Sequence, residues 1–189
     1  MIIIGITGTI GAGKGTAVEY LTKKKDFTHY SARDFLTTEV RKRGLPIDRD
    51  SFTLVANNLR HDNGPFYIAS SLYKMAAAEG KNAIIESLRA PGEVSFLREQ
   101  NGFFLLAIDA NLEVRYERIV KRNLSTDHVT LEKFKTDETR EMTSEDPASQ
   151  NIRACINMAN ALVYNNGSVI ELHSSIDDAL RLFFKKENI

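Results

Sequence analysis

The chain has a single cysteine, no excess of charge of either sign and no long apolar run, and each shortage excludes something. Cys155, alone among 189 residues, cannot close an internal disulfide, which fits a reducing compartment. It reads as a small core residue or a reactive thiol. Lysine plus arginine number 25 and so do aspartate plus glutamate, which argues against a broad basic face for duplex nucleic acid and leaves room only for local patches. No stretch approaches the ~20 apolar residues of a membrane span. The apolar opening Met1 to Thr7 has neither the basic flank nor the cleavage site of a signal peptide, and is expected to be a strand. His29, His61, His128 and His173 lack metal-ligand spacing. A cytoplasmic chain without nucleic-acid or membrane partners is expected, and its oligomeric state is left open.

What is present alternates. Short β-branched or aromatic runs bounded by turns, Ile2 to Thr7, Phe27 to Ser31, Ala83 to Glu86, Phe103 to Asp109 and Ala161 to Tyr164, read as buried parallel strands, with Val169 to Leu172 as an extension of the edge. Helical periodicity covers Gly13 to Lys24, Asp34 to Arg43, Ser51 to Arg60, Pro65 to Glu79, Glu93 to Gln100, Leu112 to Lys121 and Ile176 to Lys185. The expected fold is a three-layer α/β/α domain on a five-stranded parallel sheet with right-handed crossovers. Three helices between the second and third strands exceed what a crossover needs.

The most specific motif is Gly8-Thr9-Ile10-Gly11-Ala12-Gly13-Lys14-Gly15-Thr16, a G-x-x-x-x-G-K phosphate loop between a strand and a helix. Glycines allow the tight turn that points successive amides at an anion, and Lys14 adds a charge for the β- and γ-phosphates of a nucleotide. Gly15 stands where a hydroxyl usually follows the lysine, and Thr16 supplies one a position later. This loop resembles the adenylate-kinase version, and the chain as a whole is similar to small P-loop kinases related to nucleoside monophosphate kinases and dephospho-CoA kinases. The resemblance implies ATP and Mg2+ as cofactors, with Gly8, Gly11, Ala12, Gly13, Lys14, Gly15 and Thr16 holding the donor, and Thr16 and Glu86 reaching the metal through water.

Further residues follow in the family's order. In Tyr30-Ser31-Ala32-Arg33-Asp34, the resemblance gives Asp34 the orientation of the acceptor; as a first-turn acid it also complements a helix dipole. In Glu86-Ser87-Leu88-Arg89, Glu86 stands for the usual aspartate and Ser87 for the usual glycine, while Arg89 is either an acceptor-phosphate clamp or a surface ion-pair member. Arg115, Arg118 and Arg122 share one helix face before the polar, lid-like run Asn123 to His128. By resemblance, Arg118 and Arg122 contact the transferred phosphoryl group, with Arg140 as a further lid candidate or a partner of Asp137. Asn165, in Tyr164-Asn165-Asn166-Gly167, either borders the adenine pocket or starts a hairpin turn.

The expected organisation is one domain: a core of residues 1–33, 81–120 and 155–189, a helical acceptor-binding insertion over 34–80 and a lid over 121–145. The expected function is transfer of the γ-phosphoryl of Mg-ATP to a small nucleotide-like acceptor, a (deoxy)nucleoside monophosphate, with dephospho-CoA as the alternative. A nucleotide-binding switch with little transfer is a third reading.

Overall fold

In the computed structural model, residues 1–124 and 128–187 are described. Five strands, β1 (Ile3–Gly8), β2 (Thr28–Ser31), β3 (Ala83–Glu86), β4 (Phe103–Asp109) and β5 (Ala161–Tyr164), form one all-parallel sheet in the order β2-β3-β1-β4-β5. β1 lies at its centre, in register with β3 (Ile3 opposite Ala83) and β4 (Ile3 opposite Phe103). Every residue of β1 is buried, as an unbroken apolar run in a sheet covered on both faces requires.

Alternation along the strands divides the core in two. Ile3, Ile85 and Leu105 face one layer, with Ile68 and Leu72 of α4 (Tyr67–Glu79), Val94 and Leu97 of α5 (Pro91–Arg98) and Cys155 of α8 (Ile152–Asn157). Ile4, Ile6, Leu106 and Ile108 face the other, with Ala17 and Leu21 of α1 (Lys14–Lys25) and Ile176 and Leu180 of α9 (Val169–Glu187). This is the expected three-layer α/β/α architecture. Cys155 is fully buried and its thiol is pushed up to about 12, chiefly by burial and then by the nearby Glu93 charge, which makes it a core residue rather than a reactive one.

Between β2 and β3 lie α2 (Ala32–Lys42), α3 (Arg49–Asn63) and α4, the expected three helices. Ser31 caps α2 by accepting from the Asp34 amide, and Asp48 caps α3 by accepting from the Ser51 amide. α4 ends at Gly80 in the left-handed region, as its sequence suggested.

One expected element is corrected. Val169 to Leu172 is the first turn of α9, not an edge extension. The Ser168 amide donates to Glu171 Oε2 at 2.6 Å and the Glu171 amide donates to Ser168 Oγ at 3.2 Å, so a capping box starts a helix where β-branched residues alone suggested a strand. Two helices absent from the periodicity reading complete the chain: α8 and α7 (Leu131–Met142), the latter inside the segment expected to be a lid. α6 (Leu112–Arg122) precedes it; residues 125–127 of the polar run after α6 lie outside the described residues.

Candidate functional site

β1 ends at the carboxyl edge of the sheet and the loop after it folds into an anion cradle. Gly11 and Gly13 have φ of 78° and 100°, and a Cβ on Gly13 would lie 2.3 Å from Asn165 Nδ2, so neither position accepts a side chain. Gly8 packs directly on the Ile108 carbonyl. Gly15, by contrast, has nothing near its missing Cβ, so the departure from the usual hydroxyl there is not imposed by crowding. α1 begins with no side-chain cap and no acid in its first turn, which leaves its amino-terminal N–H groups for an anion.

The loop is braced from three directions. Thr9 Oγ1 donates to Asp109 Oδ1 at 2.5 Å, and Asn165 Nδ2 donates to the Ala12 carbonyl at 2.8 Å. Arg115 donates to the Ile10 carbonyl at 3.3 Å and to the Ala110 carbonyl at 2.7 Å. Asn165 therefore sits buried behind the loop, and the turn after β5 leads into α9 instead of a hairpin.

A cavity of about 670 Å³ opens over the loop, lined by Gly11, Gly13, Lys14, Gly15 and Thr16 on one side and by α2 and α3 on the other. Lys14 Nζ donates to the Gly8 and Thr9 carbonyls at 2.9 and 2.8 Å. Burial, then the positive charge of Arg89, lower its pKa to about 8, against the opposing pull of Glu86 and Glu141.

Glu86, at the tip of β3, lines the same cavity. Burial opposes its ionisation, but hydrogen bonding from His29 and Ser87 and the Lys14 charge hold its pKa down to about 2. Ser87 Oγ donates to Glu86 Oε1 at 2.7 Å, and His29 Nε2 lies 3.5 Å from Oε2. Ser87 adopts φ 68°, the left-handed region a glycine would enter freely; its hydroxyl contact gives this serine a use there. An ionised carboxylate lining the same cavity as Thr16 and the glycine cradle suits a divalent cation that keeps most of its ligands as water and phosphate oxygen. Among the described residues no group of three carboxylate, histidine or cysteine ligands stands ready to cage one.

Arg89 lines the cavity beside Lys14, and its Nη1 donates to Glu141 Oε2 at 2.6 Å and Gln150 Oε1 at 3.1 Å. Its backbone is held by Glu93, whose Oε2 accepts from the Arg89 and Ala90 amides at 2.8 and 3.1 Å. Oε1 of the same carboxylate pairs with Arg60 Nε at 3.0 Å, both side chains being 2% exposed. A buried ion pair thus joins α3 to the turn that presents Arg89.

Asp34 does not join this group. Exposed at the third position of α2, it lies outside the cavity lining, whereas Ala32, Arg33 and Leu36 line it. Each residue turns a helix by about 100°, so a step of one position decides which side chain faces the site. Arg33 lies over the Phe52 ring at 5.2 Å. Arg118 and Arg122 line the cavity, with Arg118 Nη1 donating to the Asn165 carbonyl at 2.8 Å. Arg115, on the same helix, is buried as a loop brace. Arg140 pairs with Asp50 at 2.9 Å and with Asp137 at 3.6 Å, the ion-pair alternative of the sequence reading.

Arg60, which the sequence offered with Arg33, Arg41 and Arg43 as a cation for an acceptor phosphate near Arg89, is paired with Glu93. Glu93, Glu141 and Gln150 were not singled out from sequence. Only Glu93 left a local trace, in Ala90-Pro-Gly-Glu93, where an acid three residues after the cap position can reach back to the chain. The others meet across the fold.

A glycine cradle at the mouth of a five-stranded parallel sheet, with a lysine and an arginine over one cavity, defines a P-loop protein of kinase-like fold. The chain belongs to the AAA domain family, whose profile matches residues 4–141, and to the UPF0200 family, being 30% identical over 184 residues to the UPF0200 protein of Methanocaldococcus jannaschii, with 96% of this chain and 90% of that one covered. It is also 28% identical over 194 residues to the UPF0200 protein of Pyrococcus abyssi, covering 98% and 100% of the two chains. Among solved structures it resembles TT1252 from Thermus thermophilus (TM-score 0.61, 19% identity, 96% of each chain). A gluconokinase from Sinorhizobium meliloti (0.59, 16%, 97% of each) and the shikimate kinase of Aquifex aeolicus (0.54, 19%, 95% and 96%) share the fold. No helix among the described residues is long and apolar enough to cross a membrane.

Proposed function

We propose that this chain is an ATP-dependent phosphotransferase that moves a γ-phosphoryl group to a small nucleotide-like acceptor, a (deoxy)nucleoside monophosphate. The observation that carries the reading is that Lys14 of the phosphate loop and Arg89 of the β3 turn line one cavity closely enough for the charge of one to lower the pKa of the other. Two cations converging on one space, beside an uncapped helix terminus, suit two phosphate groups held end to end.

In this reading the loop amides, Gly8 to Thr16, Lys14 and Arg118 with Arg122 hold the donor, and Arg89 with Arg33 holds the acceptor. Helices α2 to α4 form the acceptor side, and residues 121–124 and 128–145 cover the site. ATP is the phosphoryl donor; Thr16 and Glu86 would hold the water around a Mg2+ ion, which when bound would offset charge on the phosphate oxygens. The protein's work is positioning and charge neutralisation, as a loose phosphoryl-transfer transition state requires. A phosphate acceptor needs no general base, which agrees with Asp34 lying outside the cavity.

The test is ADP release with Mg-ATP across ribo- and deoxynucleoside monophosphates and dephospho-CoA. Acceptor-stimulated turnover with a monophosphate supports the reading, stimulation by dephospho-CoA alone moves the acceptor to the alternative, and ATP binding without stimulated turnover favours a switch.

A further inference from the structure

α7 is seated on the site by one ring and three acids. Phe134, Asp137, Glu138 and Glu141, spaced by three, four and seven, form a single face. Phe134 is fully buried against the Tyr116 ring at 5.6 Å. Asp137 Oδ2 lies 3.5 Å from Arg49 Nη1, Glu138 Oε1 lies 2.8 Å from Arg115 Nη2, and Glu141 Oε2 lies 2.6 Å from Arg89 Nη1. Arg49 and Arg89 line the cavity, so the helix sets its own carboxylates against cations that an incoming anion would use.

We infer that Glu141 is a specificity-determining residue that reserves Arg89 for a phosphate monoester and rejects carboxylates, and that the exchange of Glu141 for phosphate loosens the carboxyl end of α7. This rests on the reading of Arg89 as the acceptor-side cation. A ligand carboxylate competing for Arg89 would replace like with like. It loses that exchange, because Glu141 is tethered beside the guanidinium at high effective concentration. A phosphate monoester brings nearly twice the charge and three acceptor oxygens, enough to engage Arg89 and a neighbouring donor at once. Glu141 is 4% exposed in its side chain and α7 is otherwise anchored by Phe134, Asp137 and Glu138, so displacing the carboxylate frees the last turn without unfolding the helix.

The test uses the full chain with Lys135→Cys, an exposed α7 position, carrying an environment-sensitive fluorophore; fully buried Cys155 does not compete for the label. The phosphate loop is filled with a non-hydrolysable ATP analogue, and methyl phosphate or acetate is titrated at matched ionic strength. Methyl phosphate is expected to change the signal saturably, and acetate to need at least about tenfold more. Glu141→Gln is expected to tighten methyl phosphate about tenfold, since the site no longer has to be vacated, and to narrow the gap to acetate. Equal responses to both anions in the labelled chain with Glu141 intact overturn the inference without any reliance on Glu141→Gln folding. Weaker or unchanged methyl phosphate binding in Glu141→Gln also overturns it, making Glu141 a support for Arg89. Phosphate-selective displacement in a protein that shows no acceptor-stimulated turnover upholds the role of Glu141 and removes the kinase reading; turnover without that selectivity does the reverse.

Discussion

The side-chain amide of Asn165 donates to the carbonyl of Ala12 at 2.8 Å, across 153 residues of chain. Asn165 in turn receives Arg118 on its own carbonyl at 2.8 Å, so the turn after β5, the phosphate loop and α6 share one set of hydrogen bonds. The loop's shape is held from outside as well as by its glycines.

Gly13→Ala is therefore expected to abolish nucleotide binding. It would force a side chain into the left-handed region and within 2.3 Å of Asn165 Nδ2, while Gly15→Ala, with open space around it, should keep the fold and the loop geometry. Binding of a fluorescent ATP analogue checks the pair; equal loss in both would show that crowding at Asn165 is not the constraint.

Lys14→Ala should lower acceptor-stimulated turnover by about a hundredfold or more, with the melting temperature unchanged or raised. The sign of the stability effect follows from the depressed pKa. The folded value is about 8 against 10.5 unfolded, so carrying this charge destabilises the ligand-free fold below pH 8, and the penalty fades as pH rises from 8 to 10.5. Phosphate beside Lys14 raises its pKa again, so ATP binding above pH 8 should take up protons. Calorimetry in buffers of different ionisation enthalpy would read that uptake, and binding without it would separate Lys14 from the phosphates.

Glu86 gives the opposite pH response. Its folded pKa of about 2 lies below the ordinary 4.5, so its ionised form stabilises the fold above pH 4.5 and the contribution is lost as pH falls from 4.5 toward 2. On the order of 3 kcal/mol is at stake from a shift of that size. Chemical denaturation across this window should be less steep in pH for Glu86→Gln than for the native chain.

Glu93→Ala should cost about 3–5 kcal/mol, because it strands Arg60 in a buried site and frees the turn that presents Arg89. Thermal melting reads the stability, and the surviving fraction should show a larger rise in acceptor KM than in ATP KM. A loss confined to stability would leave Glu93 with no part in placing Arg89.

Phe134→Ala should unseat α7 more than it weakens the whole fold. The ring is the helix's one fully buried anchor, packed on Tyr116 and 5.8 Å from the Arg115 guanidinium. Hydrogen exchange should quicken over 131–142 while the sheet stays protected; uniform quickening would place α7 within the cooperative core.

The phosphate loop with its Lys14, the parallel sheet and the three helices between β2 and β3 were legible in the chain itself. Each is written locally: a strand by its β-branched run, an anion cradle by glycines at fixed spacing, a helix end by Gly80. Where local signals conflicted, the reading failed. Val169 and Ile170 look like strand residues, yet the reciprocal Ser168 and Glu171 caps start a helix there. For Asp34 the sequence left a site acid and a first-turn acid both open, and the structure places Arg33, one step of helical rotation away, in the cavity lining instead.

The pairing of charges was decided only by tertiary structure. Arg60 meets Glu93 across 33 residues and Arg89 meets Glu141 across 52. Arg115, Arg118 and Arg122 look alike along α6, but folding buries the first as a brace and leaves the other two lining the cavity. Spacing within a helix determines which residues share a face. What that face meets depends on how distant elements pack, and an ion pair has no sequence period to record it.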